Sequence, residues 1–195
     1  MLTAAHCCDG ETLDGIRVVA GEHNLFEAEG PEQTRDVAAI IIHERYGDPQ
    51  QYSNDVCILA LSEDLDLAVP EVGPVNLPLA GQRFEGEAVV SGWSSLWFGG
   101  LSPDKLQSVT VPLVADATCA ANYGDGSVDE GVMICAGAEG IDSCQGDSGG
   151  PLTCNGAGRV HCGVVSWGYG CAAAGFPGVY AETASLVNWI NENMQ

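Results

Sequence analysis

The chain has 195 residues, room for one domain or two small ones with a sizeable core. Hydrophobic residues make up 46% and charged residues 17%, which excludes a disordered or collagen-like chain, and no apolar run reaches the roughly eighteen residues of a membrane-spanning helix. Twenty-seven acidic residues against six basic ones leave a formal net charge of −21, which argues against nucleic acid as a partner.

In chain order, short Val/Ile-rich runs recur between clusters of Gly, Pro, Asn and Asp. They are GIRVVAG (15–21), DVAAIIIHERY (36–46), DVCILALS (55–62), EAVVSGW (87–93), LQSVTVPLV (106–114), GVMICAG (131–137), VHCGVVSWG (160–168) and GVYAE (178–182). This spacing predicts an all-β sandwich or barrel. Between the third and fourth runs, the stretch Val72–Gly86 with Pro74, Pro78 and Gly81 carries little strand pattern and reads as a connection. It divides the chain into residues 1–84 and 85–195. The segment PLTCNGAGRVHCGVV (151–165) reads as a hairpin across which Cys154 and Cys162 can meet. Helix is expected only at the end, where Ala184, Val187, Trp189 and Ile190 mark one apolar side, Thr183 is the N-cap candidate, and the helix docks outside the second half.

Nine cysteines, none in paired C-x-x-C spacing, favour an oxidising compartment over a zinc site, and the protein reads as extracellular. No charged-then-apolar leader precedes the first motif.

The chemistry begins at Gly146-Asp147-Ser148-Gly149-Gly150-Pro151. A serine hydroxyl is a poor nucleophile until a base takes its proton and donors await the oxyanion. Glycines beside it allow backbone angles that aim the N–H groups of Gly146 and Ser148 into one small space. Upstream, Thr3-Ala4-Ala5-His6-Cys7 supplies an imidazole, and Asn54-Asp55-Val56-Cys57-Ile58-Leu59-Ala60-Leu61 sets a carboxylate at the mouth of an apolar segment. Taken together, in the order His, Asp, Ser, these motifs resemble the chymotrypsin and trypsin family of serine proteases. The likeness runs from the His6 motif to the final helix.

That resemblance implies two six-stranded antiparallel β-barrels, the active site between them, and a C-terminal α-helix. Residues 1–84 would form the first barrel and carry His6 and Asp55; residues 85–195 would form the second and carry Ser148. It implies His6 as general base and then acid, Asp55 as the group that holds the His6 tautomer, and Ser148 as the acyl-carrying nucleophile. Gly146 and Ser148 would form the oxyanion hole, and no cofactor would enter catalysis. Asp142, six residues before Ser148, would floor the primary pocket, with Ser166, Trp167, Gly168 and Gly178 as walls left open for a long side chain. Cleavage after Arg and Lys follows. For such an enzyme, a surface poor in Lys and Arg would also spare its own copies. The alternative is a merely soluble, self-repelling surface.

The family also implies bridges Cys119–Cys135 and Cys144–Cys171. Cys154 meets Ala88 where the family has a cysteine, which leaves Cys162 as its partner. Cys8 and Cys57 each follow a triad candidate by two residues, and because those two lie close together in the family's fold a further bridge between them is open, which would leave Cys7 over; the pairing of Cys7, Cys8 and Cys57 is not fixed by the sequence. The segment Gly21–Gln33 resembles the family's calcium loop, with the side chains of Glu22, Glu29 and Glu32 and the carbonyls of Asn24 and Glu27 as ligands; the alternative is a solvated acidic loop. His23, His43 and His161 carry no companion motif and read as ordinary surface or strand histidines.

The chain opens two residues before the His6 motif, where the family has a complete opening section, so the first barrel is expected to lack its leading strands. The family's new α-amino group, which would pair with Asp147, is missing as well. The chain as written is therefore expected to be inactive or misfolded. Partners implied are protein or peptide substrates with Arg or Lys before the scissile bond, and protease inhibitors, with the enzyme monomeric and secreted. A protease-shaped binding module without turnover is the competing class, although such modules commonly lose the base or the nucleophile.

Overall fold

The computed structural model describes residues 1–95, 100–124, 126–144, 146–154 and 159–194. Each apolar run of the sequence becomes a strand, because alternate residues can turn one face inward while the other meets water or a second layer. In the first half, β1 (Leu2–Thr3), β2 (Arg17–Ala20), β3 (Gln33–Ile42) and β4 (Cys57–Leu61) form an open antiparallel sheet in the order β1-β4-β3-β2. Pairing of Ile41 with Ile58 and Ile40 with Leu59 sets the β3–β4 register.

The second half closes on itself. The strands β5 (Glu87–Gly92), β6 (Gln107–Val114), β7 (Met133–Ala136), β8 (Pro151–Cys154), β9 (Val160–Trp167) and β10 (Gly178–Glu182) form a barrel in the order β10-β7-β6-β5-β8-β9. Its interior is filled by Val90, Val111, Ile134, Leu152, Val165 and Tyr180. The expectation of one closed six-stranded barrel and one incomplete one is borne out. Residues 72–86 contain no strand, in keeping with a connection, and touch the barrel through an isolated bridge from Asn76 to Val160.

Two expectations about helices are corrected. Helix is not confined to the end: α1 (Asp116–Tyr123) precedes β7. Its Cys119 and Tyr123, one turn apart, are buried, and Gly124 in the left-handed region (φ 68°) stops it with an N–H to the carbonyl of Ala120. Eight residues are too few for a helical period to stand out from neighbouring strands. In the second helix, α2 (Thr183–Asn193), the N-cap is Glu182 rather than Thr183, whose hydroxyl is engaged with Nδ1 of His161 at 2.9 Å. Nor does α2 lie simply outside the second half. Leu186 and Ile190 share a cluster with Ala4, Val56 and Ile58 of the first half and Val164 and Ala181 of the barrel, so the helix seals the seam. Trp189 adds a hydrogen bond from Nε1 to Glu44 at 2.7 Å and packs on His43 at 4.8 Å.

Disulfides join Cys119 to Cys135, Cys144 to Cys171 and Cys154 to Cys162, as expected, and Cys8 to Cys57, and among the described residues Cys7 is a free thiol. Ala88, fully buried, stands opposite Cys154 in the β5–β8 register, while Cys162 reaches Cys154 across the hairpin. The tip of that hairpin, 155–158, lies outside the described residues.

Two stability outcomes follow. Ile190 has no exposure and touches both halves, so Ile190→Ala should lower the unfolding free energy by about 3 kcal/mol, read as a reduced urea midpoint at unchanged slope. His161 is 6% exposed, and burial pushes its pKa down from 6.5 to about 4. The unfolded chain therefore takes up a proton that the folded chain refuses as pH falls from 6.5 towards 4, and stability drops across that window. His161→Gln should flatten this acid branch by roughly 2–3 kcal/mol; equal losses in both proteins between pH 7 and pH 4 would exclude His161 as the cause.

Candidate active site

His6 sits in a short 3₁₀ turn, Ala5–Cys7, that follows β1, and Asp55 directly precedes β4. Pairing of β1 with β4, Thr3 to Cys57, brings the two residues together. The Asp55 carboxylate has no exposure and is fully engaged. Oδ1 accepts the backbone N–H of His6 at 2.8 Å, and Oδ2 faces His6 Nδ1 at 2.7 Å. Ser166, from β9 of the barrel, donates its hydroxyl to the same Oδ2 at 2.5 Å. An ionised carboxylate only accepts, so Nδ1 carries a proton directed at Asp55. The Asp55 hydrogen bond, and after it a contact with the Cys7 thiol, raises the His6 pKa against the opposing effect of desolvation.

Ser148 is exposed on the turn between Cys144 and β8. Gly146 (φ 104°) and Gly149 (φ 78°) adopt backbone angles that residues with a side chain rarely reach. The turn is pinned by Gly149 N–H to the carbonyl of Val165 at 2.9 Å and by Gly150 N–H to that of Asp147 at 2.8 Å. A Cβ added at Gly149 would overlap the Thr3 hydroxyl and lie 3.3 Å from the Cys7 sulfur. The Ser148 turn thus packs directly against the turn that carries His6, across the seam between sheet and barrel.

Beside Ser148 opens a small cavity of about 120 Å³, lined by Asp142, Ser143, Ser166, Trp167, Gly168 and Gly178 among others. All five residues expected in the primary pocket meet here. A Cβ on Gly178 would come 2.5 Å from Oδ1 of Asp142, and one on Gly168 would stand 3.8 Å from Cα of Gly178, so side chains at either position would narrow the slot. Asp142 accepts the N–H groups of Ser143 at 2.8 Å and Ala172 at 3.2 Å. Burial nevertheless dominates and raises its pKa from 3.8 to about 6. The bridge Cys144–Cys171 ties the strand leading to Ser148 to the opposite wall.

Asp147, 8% exposed, does not stand unsatisfied. It takes the Ser94 N–H at 3.2 Å, the Ser94 hydroxyl at 2.5 Å and the Cys144 N–H at 3.0 Å. Ser94 was not marked in the sequence, where a serine after Gly92-Trp93 carries no signal. Two other contributors were also missed: Ser143, whose hydroxyl receives that of Tyr180 at 3.0 Å, and Tyr52, whose ring lies edge-on to His6 at 5.9 Å and stacks on Trp167 at 6.3 Å.

The acidic loop does not assemble the expected calcium site. Among the described residues no three His, Cys, Asp or Glu side chains are grouped to hold a metal ion. Within the loop, Glu32 accepts the N–H groups of Glu29 and Gly30, Glu27 accepts the Asn24 side-chain amide at 3.3 Å, and Glu22 accepts the N–H of His23 at 3.0 Å. These carboxylate oxygens accept from the loop's own donors. His161 is a strand histidine as expected, while His43 is buried under Trp189 rather than at the surface.

A family model described as Trypsin matches residues 1–190. The chain is 46% identical to Trypsin-1 of Astacus astacus over 198 residues, covering 98% of this chain and 82% of that protein. It is 40% identical to Serine protease 1 of Rattus norvegicus over 197 residues, covering 100% of this chain and 76% of the relative. Anionic trypsin of Bos taurus is 40% identical over 197 residues, covering 100% and 75%. With the fold, the disulfides and the His6–Asp55 pair beside Ser148, these matches establish that the chain belongs to the trypsin family of serine endopeptidases.

Proposed function

We propose that this endopeptidase hydrolyses peptide bonds after Arg and Lys, with His6, Asp55 and Ser148 as its triad. The observation that carries the proposal is the joint one: a carboxylate-held imidazole whose turn packs against the Ser148 turn at the rim of a slot lined by Asp142. In this reading Nε2 of His6 takes the proton from Ser148 Oγ as Oγ adds to the scissile carbonyl. The N–H groups of Gly146 and Ser148 receive the negative oxygen. His6 then passes its proton to the leaving amine. In the second half, water loses a proton to His6, adds to the acyl carbon and releases Ser148. Asp55 keeps its charge throughout and stabilises the imidazolium.

The primary specificity rests on Asp142, a partly buried carboxylate that pairs with a guanidinium or ammonium in a slot kept open by Gly168 and Gly178. The boundary between halves is drawn at 84/85, just ahead of β5. Four disulfides support action outside the cell, where polypeptides are the substrates, protein protease inhibitors are natural partners and the enzyme works as a monomer.

A serine-directed phosphonate should label the protein once, at Ser148, with Ser148→Ala unlabelled; labelling elsewhere, or none, would remove the triad. Asp142→Ser should lower kcat/KM for Arg and Lys substrates by at least about a hundredfold relative to apolar ones. Because the free Asp142 carboxyl ionises at about 6, KM for an Arg substrate should climb as pH falls through that value. A flat KM between pH 7 and pH 5 would exclude Asp142 as the cation's partner.

A further inference from the structure

The segment that delivers Asp55 is strained. Among the described residues three without a glycine's freedom have positive φ, and two of them, Tyr52 (φ 68°) and Asn54 (φ 56°), flank Ser53 immediately before Asp55. Such backbone persists only where the surroundings over-determine it. Within the first half, Asn54 donates its side-chain amide to the carbonyls of Arg45 at 3.0 Å and Asp48 at 2.9 Å, and the Ser53 carbonyl accepts Gly47 N–H at 2.9 Å. These bonds hold the turn to its own loop. They do not tie it to the barrel.

Tyr52 stacks on Trp167 of β9, and the polar tie to the second half comes from Ser53. Its side chain has no exposure, and its hydroxyl donates across the seam to Oδ2 of Asp129 at 2.7 Å, 76 residues away. Asp129 is itself fixed ahead of β7: its Oδ1 accepts Gly131 N–H at 3.1 Å, and its carbonyl accepts the N–H groups of Val132 and Met133. A hydrogen bond to a charged acceptor in a half-buried setting is both strong and directional. Beyond the turn, the same rigid segment presents the Tyr52 ring to His6 and hands Asp55 to its donors from His6 and Ser166.

We propose that Asp129 is a positioning residue for the triad: through the Ser53 hydroxyl it locks the left-handed turn Tyr52–Asn54 and thereby aims the Asp55 carboxylate that orients His6. This rests on the triad reading above. The mechanism is geometric, since small displacements of a catalytic group reduce rate far more than they reduce binding.

The test compares Asp129→Ala, Asp129→Asn, Ser53→Ala and the double variant Asp129→Ala/Ser53→Ala, each in the full chain, with rates expressed per site titrated by a serine-directed phosphonate. Asp129→Ala and Ser53→Ala should each lower kcat on the order of tenfold with KM within about twofold. The double variant should lose no more than either single one, and Asp129→Asn, which keeps an acceptor oxygen, should recover most of the rate. The acid limb of the kcat profile, governed by His6 with Asp55, Cys7 and Tyr52 around it, should shift in the two alanine variants and not in Asp129→Asn. Titrating native sites removes any loss due to unfolding, and Ser53→Ala carries the test if Asp129→Ala does not fold. Unchanged kcat and acid limb, or losses that multiply in the double variant, would overturn the proposal while leaving the triad intact. Failure of the unmodified protein to be labelled would overturn both.

Discussion

A single buried carboxylate organises the molecule. Asp55 has no contact with solvent, and an ionised group in that position survives only if its oxygens are occupied by donors. Two of those donors belong to His6 in the turn after β1, and the third is Ser166 on β9 of the barrel. Sheet and barrel therefore cannot part without stranding a charge. The apolar seam of Ala4, Val56, Ile58, Val164, Ala181 and α2 follows the same line and excludes the water that would otherwise solvate it.

Around this joint, three carboxylates in a very acidic chain meet three environments. Asp55 is surrounded by donors that hold its charge and fix an imidazole. Asp147 is nearly as buried and draws on Ser94 and Cys144, which makes it a brace beneath the Ser148 turn. Asp142 accepts the N–H groups of Ser143 and Ala172, yet burial outweighs these bonds and raises its pKa to about 6. Residue type alone would not separate these roles. The remaining acids are mostly on the surface, where the ion pairs Arg17–Asp36 and Arg45–Asp48 are exposed on both sides and add little to stability.

The disulfides act at the same scale as the site. Cys8–Cys57 begins one residue beyond the His6 turn and ends at the start of β4, so it ties the segment after His6 to the segment after Asp55 across a sequence separation of 49. Cys144–Cys171 closes 27 residues around the pocket. Both restrict the unfolded chain as well as the folded one. Where the chain has Ala88 opposite Cys154, a short bridge within the β8–β9 hairpin takes the place of one between strands.

Much of this was legible in the residues. Period-two apolar runs announce strands wherever one face is buried, and the motifs around His6, Asp55 and Ser148 span five to eight consecutive positions. The Cys154–Cys162 bridge could be read because it spans a hairpin. By contrast, α1 is too short to show a period, Thr183 proved to serve His161 instead of capping a helix, and the acidic loop spends its carboxylates on its own backbone. The sequence by itself determined the β-rich class and the positions of the strands along the chain, because these depend on local pattern, while the reactive groups were proposed from the family resemblance that three motifs carry together. Only the tertiary structure decided which donors surround each carboxylate. Ser166 meets Asp55 across 111 residues and Ser53 meets Asp129 across 76, contacts set by strand register and closure of the seam, which no local spacing encodes.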